Sequence, residues 1–391
     1  MHGRLLERRM QKLDEIRRYL LTLVCAAVCV SSVFGVTFYW FMEYSDIAPI
    51  PRVMAARQAS DASVVAWDGS ANFWGDLKLH RIWDEKPEVI MVGSSRGGQL
   101  RSRMFRPYSF HNASFTAWNL DQTTDFIARV TSKFKPRVVI VALDYFMFTD
   151  VYADGVLRQR QMYYGRDLKF EAIVWRNLIT RLYQSPVFGR ELTGRPSDKK
   201  HFIGLDAIRL SAGYRWDGSF QYPVRGDINQ RKIPYNHLAF TSAFPGAPTA
   251  EKRQLAALER LAALAKLEGF ILVGIQLPIL KPAIDFLDYD KGFWYYSGVW
   301  RDFKSDTMKS RFRELGIHYF DLTGSPLTAD TANFYDSYHA NEMGMLRSII
   351  DLIEDPEFRV IFPKLDVEGL RSDLSHPIAG EEPPSIYGSE F

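Results

Sequence analysis

The sequence predicts an α/β protein built on a doubly wound, mostly parallel sheet, following an N-terminal transmembrane helix. Three observations predict it. Short, nearly continuous apolar runs at 87–93 and 137–143 have the pattern of strands buried on both faces. Amphipathic stretches of helical period alternate with such runs, as crossover helices on a parallel sheet do. Residues 19–42 hold 24 positions without a charge, and about 20 apolar residues span a bilayer as a helix.

In chain order, residues 1–18 are a short basic segment. Six Arg/Lys and four acids fall within residues 1–44, and every one of those basic residues precedes the apolar run. Phe38, Tyr39, Trp40 and Phe41 form an aromatic belt at its far end, and Glu43 and Asp46 follow. The positive-inside rule then puts the N-terminus in the cytoplasm and the chain after about residue 45 outside. A cleaved signal peptide is the rival reading. Its apolar region would run about 7–15 residues to a small-x-small site, and this run is longer and ends in aromatics. The expectation is an uncleaved anchor.

The remaining chain is nearly neutral, since the whole protein carries only +3. That gives no electrostatic footing for nucleic acid. Both cysteines, Cys25 and Cys29, lie in the apolar run. The exported part therefore has no disulfide, thiol nucleophile or cysteine metal site.

Residues 43–85 read as a connector, with Trp67, Phe73, Trp74 and Trp83 anchoring it to the α/β domain at 86–365. Within that domain 87–93 is a strand, 108–115 a candidate second strand, and 123–134 a helix through Phe126, Ile127, Val130 and Phe134. The run RVVIVAL at 137–143, between Pro136 and Asp144, is a β-branched strand. Alternation stops over 149–246, an aromatic-, Arg- and Gly-rich insertion with helical pieces about 167–184. The insertion covers a sheet edge or shapes the substrate site. Residues 250–268 are an amphipathic helix ended by Gly269, and 270–277 a strand stopped by Pro278. Residues 300–315 are a helix ended by Gly316, 318–322 a short strand, and 342–353 a helix. Residues 366–391 read as an acidic, Pro-containing surface tail.

Gly93-Ser94-Ser95 stands at the C-terminal end of the first strand, where open parallel sheets place their ligands. A serine hydroxyl is a poor nucleophile until a base within hydrogen-bond reach takes its proton. Asp336 lies three residues before His339, so its carboxylate can orient the imidazole from one side of a turn. Ser95, His339 and Asp336 are thus candidate nucleophile, base and orienting acid. Asp336 and His339 are too few for a metal site, and His111, His201, His237 and His318 show no metal spacing. Gly97-Gly98 lacks the lysine of a phosphate-binding loop. Arg96 either binds an anionic substrate group or forms a structural salt bridge. Tyr163, Tyr164, Trp175, Tyr214 and Trp216 are candidates for stacking on sugar rings or for core packing.

The chain resembles the SGNH/GDSL hydrolase superfamily in four ordered segments. Val92-Gly93-Ser94-Ser95 looks like the first block, with Ser94 in place of the usual Asp and Ser95 in the nucleophile slot. Asn112-Ala113-Ser114-Phe115-Thr116-Ala117 looks like the second, with Ala117 where a family glycine offers its N–H to the oxyanion. Val141-Ala142-Leu143-Asp144-Tyr145-Phe146 lies where the third block is expected, and Asp336-Ser337-Tyr338-His339 matches the fourth. The resemblance covers about 87–145 and 270–350. It implies an SGNH-like, flavodoxin-like three-layer fold, no cofactor, and an oxyanion site around Ser95, Ala117 and Asp144. The family asparagine of the third block is replaced by Phe146, or by Asp144 in a shifted register. Losing one oxyanion donor costs about 10²–10³ in rate. The anchor and Gly93-Ser94-Ser95 look most like the membrane-anchored branch that resembles alginate O-acetylation and teichoic acid D-alanylation proteins. These work beside a multi-pass membrane acyltransferase.

The expected function is an anchored, extracytoplasmic serine O-acyltransferase or esterase acting on a cell-envelope polysaccharide. The rival is a catalytically idle scaffold or glycan-binding subunit that keeps the fold for its surface.

Overall fold

The computed structural model describes residues 2–44, 50–67, 74–159, 176, 202–222, 244–289 and 294–375. The chain divides into two compact units, Met1–Ile50 and Pro51–Phe391.

The first unit is one helix, α1 (His2–Tyr44). Its stretch Met10–Val36 is long and apolar enough to cross a membrane. Leu20, Leu21, Leu23, Val30, Val33 and Val36 are exposed along it, so the helix presents apolar side chains on all sides.

The second unit is organised by a five-stranded sheet of β2 (Val89–Gly93), β3 (Phe110–Ser114), β4 (Val138–Ala142), β8 (Ile271–Gln276) and β9 (Ile317–Asp321). The order is β3-β2-β4-β8-β9, and every pairing is parallel. The predicted strands all form, each trimmed or shifted by one or two residues. Alternate side chains enter opposite layers. Ile90, Val92, Val139 and Val141 pack under the helices Leu120–Thr131, Lys252–Glu268 and Trp294–Lys304. Val89, Met91, Val138 and Ile140 pack under Glu342–Ile353 and Pro356–Ile361. Burial on both faces is why these strands read as unbroken apolar runs. The chain leaves β2 toward β3 on one side and later returns to β4 on the other. The crevice at the C-terminal ends of β2 and β4 is therefore the switch point of the sheet, where ligands bind in this architecture.

Three expectations change. The connector is part of the domain. The helices α2 (Pro51–Ser60) and α3 (Trp74–Glu85) flank β1 (Val65–Ala66), which joins a second sheet of β5 (Phe202–Ile203), β6 (Gly213–Tyr214) and β7 (Phe220–Gln221) in the order β5-β1-β6-β7. Phe73 lies outside the described residues. The helix expected over 300–315 is two helices, Trp294–Lys304 and Asp306–Glu314, because the Ser305 side chain accepts from the Met308 amide at 3.2 Å and starts the chain afresh. The C-terminal tail begins as a helix, Val367–Ser375, with Leu370 buried in the core; 376–391 lie outside the described residues.

Much of the insertion, including the helical pieces expected about 167–184, also lies outside the described residues, Arg176 apart. Its described hairpin, β6–β7, covers the β3 edge. The Asn112 amide donates to Asp217 C=O at 2.7 Å, and buried Lys78 donates through Nζ to the carbonyls of Asn112, Ser114 and Gly218 at 3.0, 2.6 and 2.8 Å. Gly218 (φ +79°) permits this approach, since a Cβ there would lie 2.1 Å from the Asn112 carbonyl oxygen.

Candidate active site

Strand β2 ends at Gly93, with φ +153° and so close to β4 that a Cβ would stand 2.7 Å from that of Ala142. A short 3₁₀ turn, Ser95–Gly97, follows. Ser94 caps it, its side chain accepting from the Arg96 amide at 3.4 Å. Ser94 is buried, whereas Ser95 is half-buried. Of the two serines only Ser95 reaches the histidine: its Oγ lies 2.8 Å from His339 Nε2.

The segment carrying His339 is a tight loop. Phe334 and Ala340 bridge across its base, and the Tyr335 amide donates to His339 C=O at 2.8 Å. Asn341 caps the helix behind it, accepting from the Gly344 amide at 2.9 Å. Within the loop His339 Nδ1 is 2.8 Å from Asp336 Oδ2. The other oxygen, Oδ1, accepts the amides of Tyr338 and His339 at 2.9 and 2.8 Å. Burial pushes the Asp336 carboxyl up. The bonds from the His339 ring and the two amides outweigh it and hold the group below its usual range. An ionised Asp336 favours the tautomer with Nδ1–H toward Asp336, leaving Nε2 to accept from Ser95. The three predicted catalytic residues thus converge in one relay.

The other predicted residues fall differently. Arg96 is not a substrate contact: its side chain is 1% exposed and its N–H groups bond protein. Nε donates to Tyr338 C=O at 3.1 Å. One terminal nitrogen donates to Leu277 and Pro278 C=O at 2.7 and 2.9 Å, and the other pairs with Asp144. Asp144 is correspondingly no oxyanion donor. Its Oδ1 takes Arg96 and, at 3.2 Å, Gln276 Nε2, while Oδ2 is buried without a hydrogen-bond partner among the described residues. Burial pushes the Asp144 carboxyl up to about 6 against the opposing pull of Arg96. Phe146 packs into the apolar layer against Tyr152 and Phe244. The Ala117 amide is engaged by Gly93 C=O at 3.4 Å. Ser95, first in its turn, has an N–H with no intrahelical acceptor. Its amide is the third of the predicted oxyanion groups.

Tyr214 is buried against Phe115 and Phe220 under Lys78 Nζ, too enclosed to stack on a ligand. Trp216 lines a cavity of about 470 Å³ with Glu85, Arg101, Arg106 and Tyr108. Pro87 and Ser109 also line it, which places it at the starts of β2 and β3, the opposite end of the sheet from Ser95. Tyr163, Tyr164 and Trp175 lie outside the described residues.

The sequence reading missed the aromatic surround of His339. Tyr338 stands 4.4 Å from the His339 ring between centroids, Tyr222 stands 6.4 Å from it, and Tyr222 lies 4.4 Å from Tyr335. Tyr335 and Tyr338 were visible beside Asp336 and His339 in the sequence. Nothing local marks Tyr222, which arrives with the β6–β7 hairpin. No cluster of three or more metal-ligating side chains occurs among the described residues. Comparison with protein-family models and with curated proteins returns no match for this chain.

Proposed function

We propose that the protein is a membrane-anchored, extracytoplasmic serine O-acyltransferase or esterase of the SGNH type, acting on a cell-envelope polysaccharide. The relay of two 2.8 Å contacts, Ser95 to His339 and His339 to Asp336, carries this reading. Its position at the sheet's switch point and the half-buried tyrosines beside the base support it further, since aromatic faces suit sugar rings.

In the reaction, Ser95 Oγ attacks the acyl carbonyl while His339 Nε2 takes the hydroxyl proton. The Ser95 N–H donates to the developing oxyanion. The intermediate collapses, the bond to the leaving oxygen breaks, and His339 returns the proton to that oxygen. The acyl-serine is then attacked by a second hydroxyl, from a sugar or from water, with His339 again removing the proton; the bond from the acyl carbon to Ser95 Oγ breaks, and His339 returns the proton to Oγ. Which nucleophile wins depends on whether the bound acceptor excludes water. The helix α1 would hold this site at the outer face of the inner membrane, beside a multi-pass acyltransferase that supplies acyl groups.

A second reading has one observation in its favour. Asp144 occupies the region expected to carry a side-chain oxyanion donor, and its carboxylate is committed to Arg96. The protein would then be an idle SGNH-fold scaffold that binds glycan.

A fluorophosphonate probe separates the two. The active reading expects a covalent adduct at Ser95 that disappears in Ser95→Ala and slows about 10²-fold or more in His339→Ala. It also expects turnover of an activated acetyl ester that follows the same pattern. An intact wild-type protein with no Ser95 adduct would favour the scaffold.

A further inference from the structure

Ser95 and His339 are 244 residues apart, and a single hydrogen bond between them does not hold two chain segments in register. A second cross-link runs beside it, one residue along. Arg96 Nε donates to the carbonyl of Tyr338 at 3.1 Å, so the residue after the serine grips the residue before the histidine. The remainder of the guanidinium is fixed to the scaffold. It donates to Leu277 and Pro278, just past the end of β8, and pairs with Asp144, two residues past the end of β4. Gln276 Nε2 steadies Asp144 at 3.2 Å and donates to Leu277 C=O at 3.0 Å.

The pair is buried, with Arg96 1% and Asp144 0% exposed at their side chains. Buried ion pairs are weak stabilisers, and well-packed apolar side chains often replace them at no loss, so stability alone gives little reason for this one. What the pair supplies is geometry. A planar guanidinium can address four acceptors in fixed directions, which a lysine ammonium cannot. The four acceptors here are the base loop, the two carbonyls after β8 and the carboxylate after β4.

We propose that Arg96, backed by Asp144, is the positioning residue of the site, setting the Ser95–His339 distance by clamping the Asp336–His339 loop to the ends of β4 and β8. The assignment rests on the reading of Ser95 and His339 as nucleophile and base. Arg96 itself touches no reacting atom.

The test is a mutant cycle on the full chain in detergent micelles. The rate of fluorophosphonate adduct formation at Ser95 is read by mass spectrometry, and thermal unfolding reports folding. Arg96→Met is expected to slow labelling about 100-fold, the scale of a misplacement near 1 Å, and Arg96→Lys at least about tenfold. In a His339→Ala background Arg96→Met should change the rate less than about twofold, because a residue acting through the imidazole has nothing left to position. Equal slowing in both backgrounds would assign Arg96 to the fold of the turn and overturn the proposal. Labelling of either variant at the wild-type rate would overturn it as well. Should Arg96→Met fail to fold, Arg96→Lys carried through the same cycle decides. A wild type that forms no Ser95 adduct removes the premise, a result distinct from a wild type that labels while the Arg96 variants label equally fast.

Discussion

Asp336 uses its two oxygens for two tasks. One accepts two backbone amides and holds the loop closed; the other faces His339 Nδ1 and selects the tautomer. Asp336→Asn can keep the first task, since its amide oxygen still accepts, but it removes the charge that favours Nδ1–H. Ser95 labelling should fall about 10²–10⁴-fold with little change in unfolding temperature. A rate within about threefold of wild type would show that Asp336 serves only the loop. Asp336 and His339 were legible because three residues of spacing in a loop dictate their proximity. Arg96 and Asp144 were legible as residues but not as a pair, because 48 positions separate them and only the switch point of the sheet brings them together.

At the scale of elements, the β2–β4 contact decides where Ser95 stands. Gly93 is bare because a methyl group would meet Ala142 Cβ at 2.7 Å, and φ +153° adds strain for any other residue. Gly93→Ala should therefore destabilise the domain by about 1–3 kcal/mol and slow Ser95 labelling beyond what the lost stability explains. Urea unfolding and labelling rates under fully native conditions check both parts. An unchanged midpoint would show that β2 can move away from β4 freely.

The strands of the parallel sheet were legible because burial on both faces leaves an apolar run in the chain itself. The second sheet was not. Its strands are two residues each, too short for any alternation, and two-residue pairing between positions 65 and 202 follows from packing rather than local pattern. The helix break at Ser305 was hidden for the opposite reason. Apolar spacing continues across it through Phe303, Met308 and Phe312, and the capping hydroxyl alone marks the interruption.

Across the whole molecule, two buried carboxylates give stability opposite dependences on pH. Burial raises the Asp144 carboxyl to about 6, above its unfolded value near 4. The native state then holds that proton more tightly, so this contribution is complete below about pH 4 and lost as pH rises through 6. Asp217 goes the other way. Burial pushes it up, but Arg101, the Ser219 side chain and the Ser102 amide outweigh burial and hold it well below its usual range. Its contribution is present above about pH 4 and lost as pH falls further. Between pH 4 and 6 the Asp144 contribution falls by about 2 kcal/mol. Asp144→Asn should remove that slope, even though it leaves Arg96 without its counter-ion and lowers stability overall. Chemical unfolding at pH 4, 5 and 6 for both proteins measures it, and parallel curves would refute the assignment.

By itself the sequence determined an apolar N-terminal helix, the strands of a parallel sheet and the choice of Ser95, Asp336 and His339 as a candidate set. Each of these is written as a run, a period or a short spacing, and local chain physics reads such patterns directly. Only the tertiary structure decided that Arg96 faces inward to bind the protein, that Tyr222 borders His339, and that the segment before β2 belongs to the domain. Those facts depend on which distant surfaces meet when the sheet assembles, and contacts of that kind leave no mark on neighbouring residues.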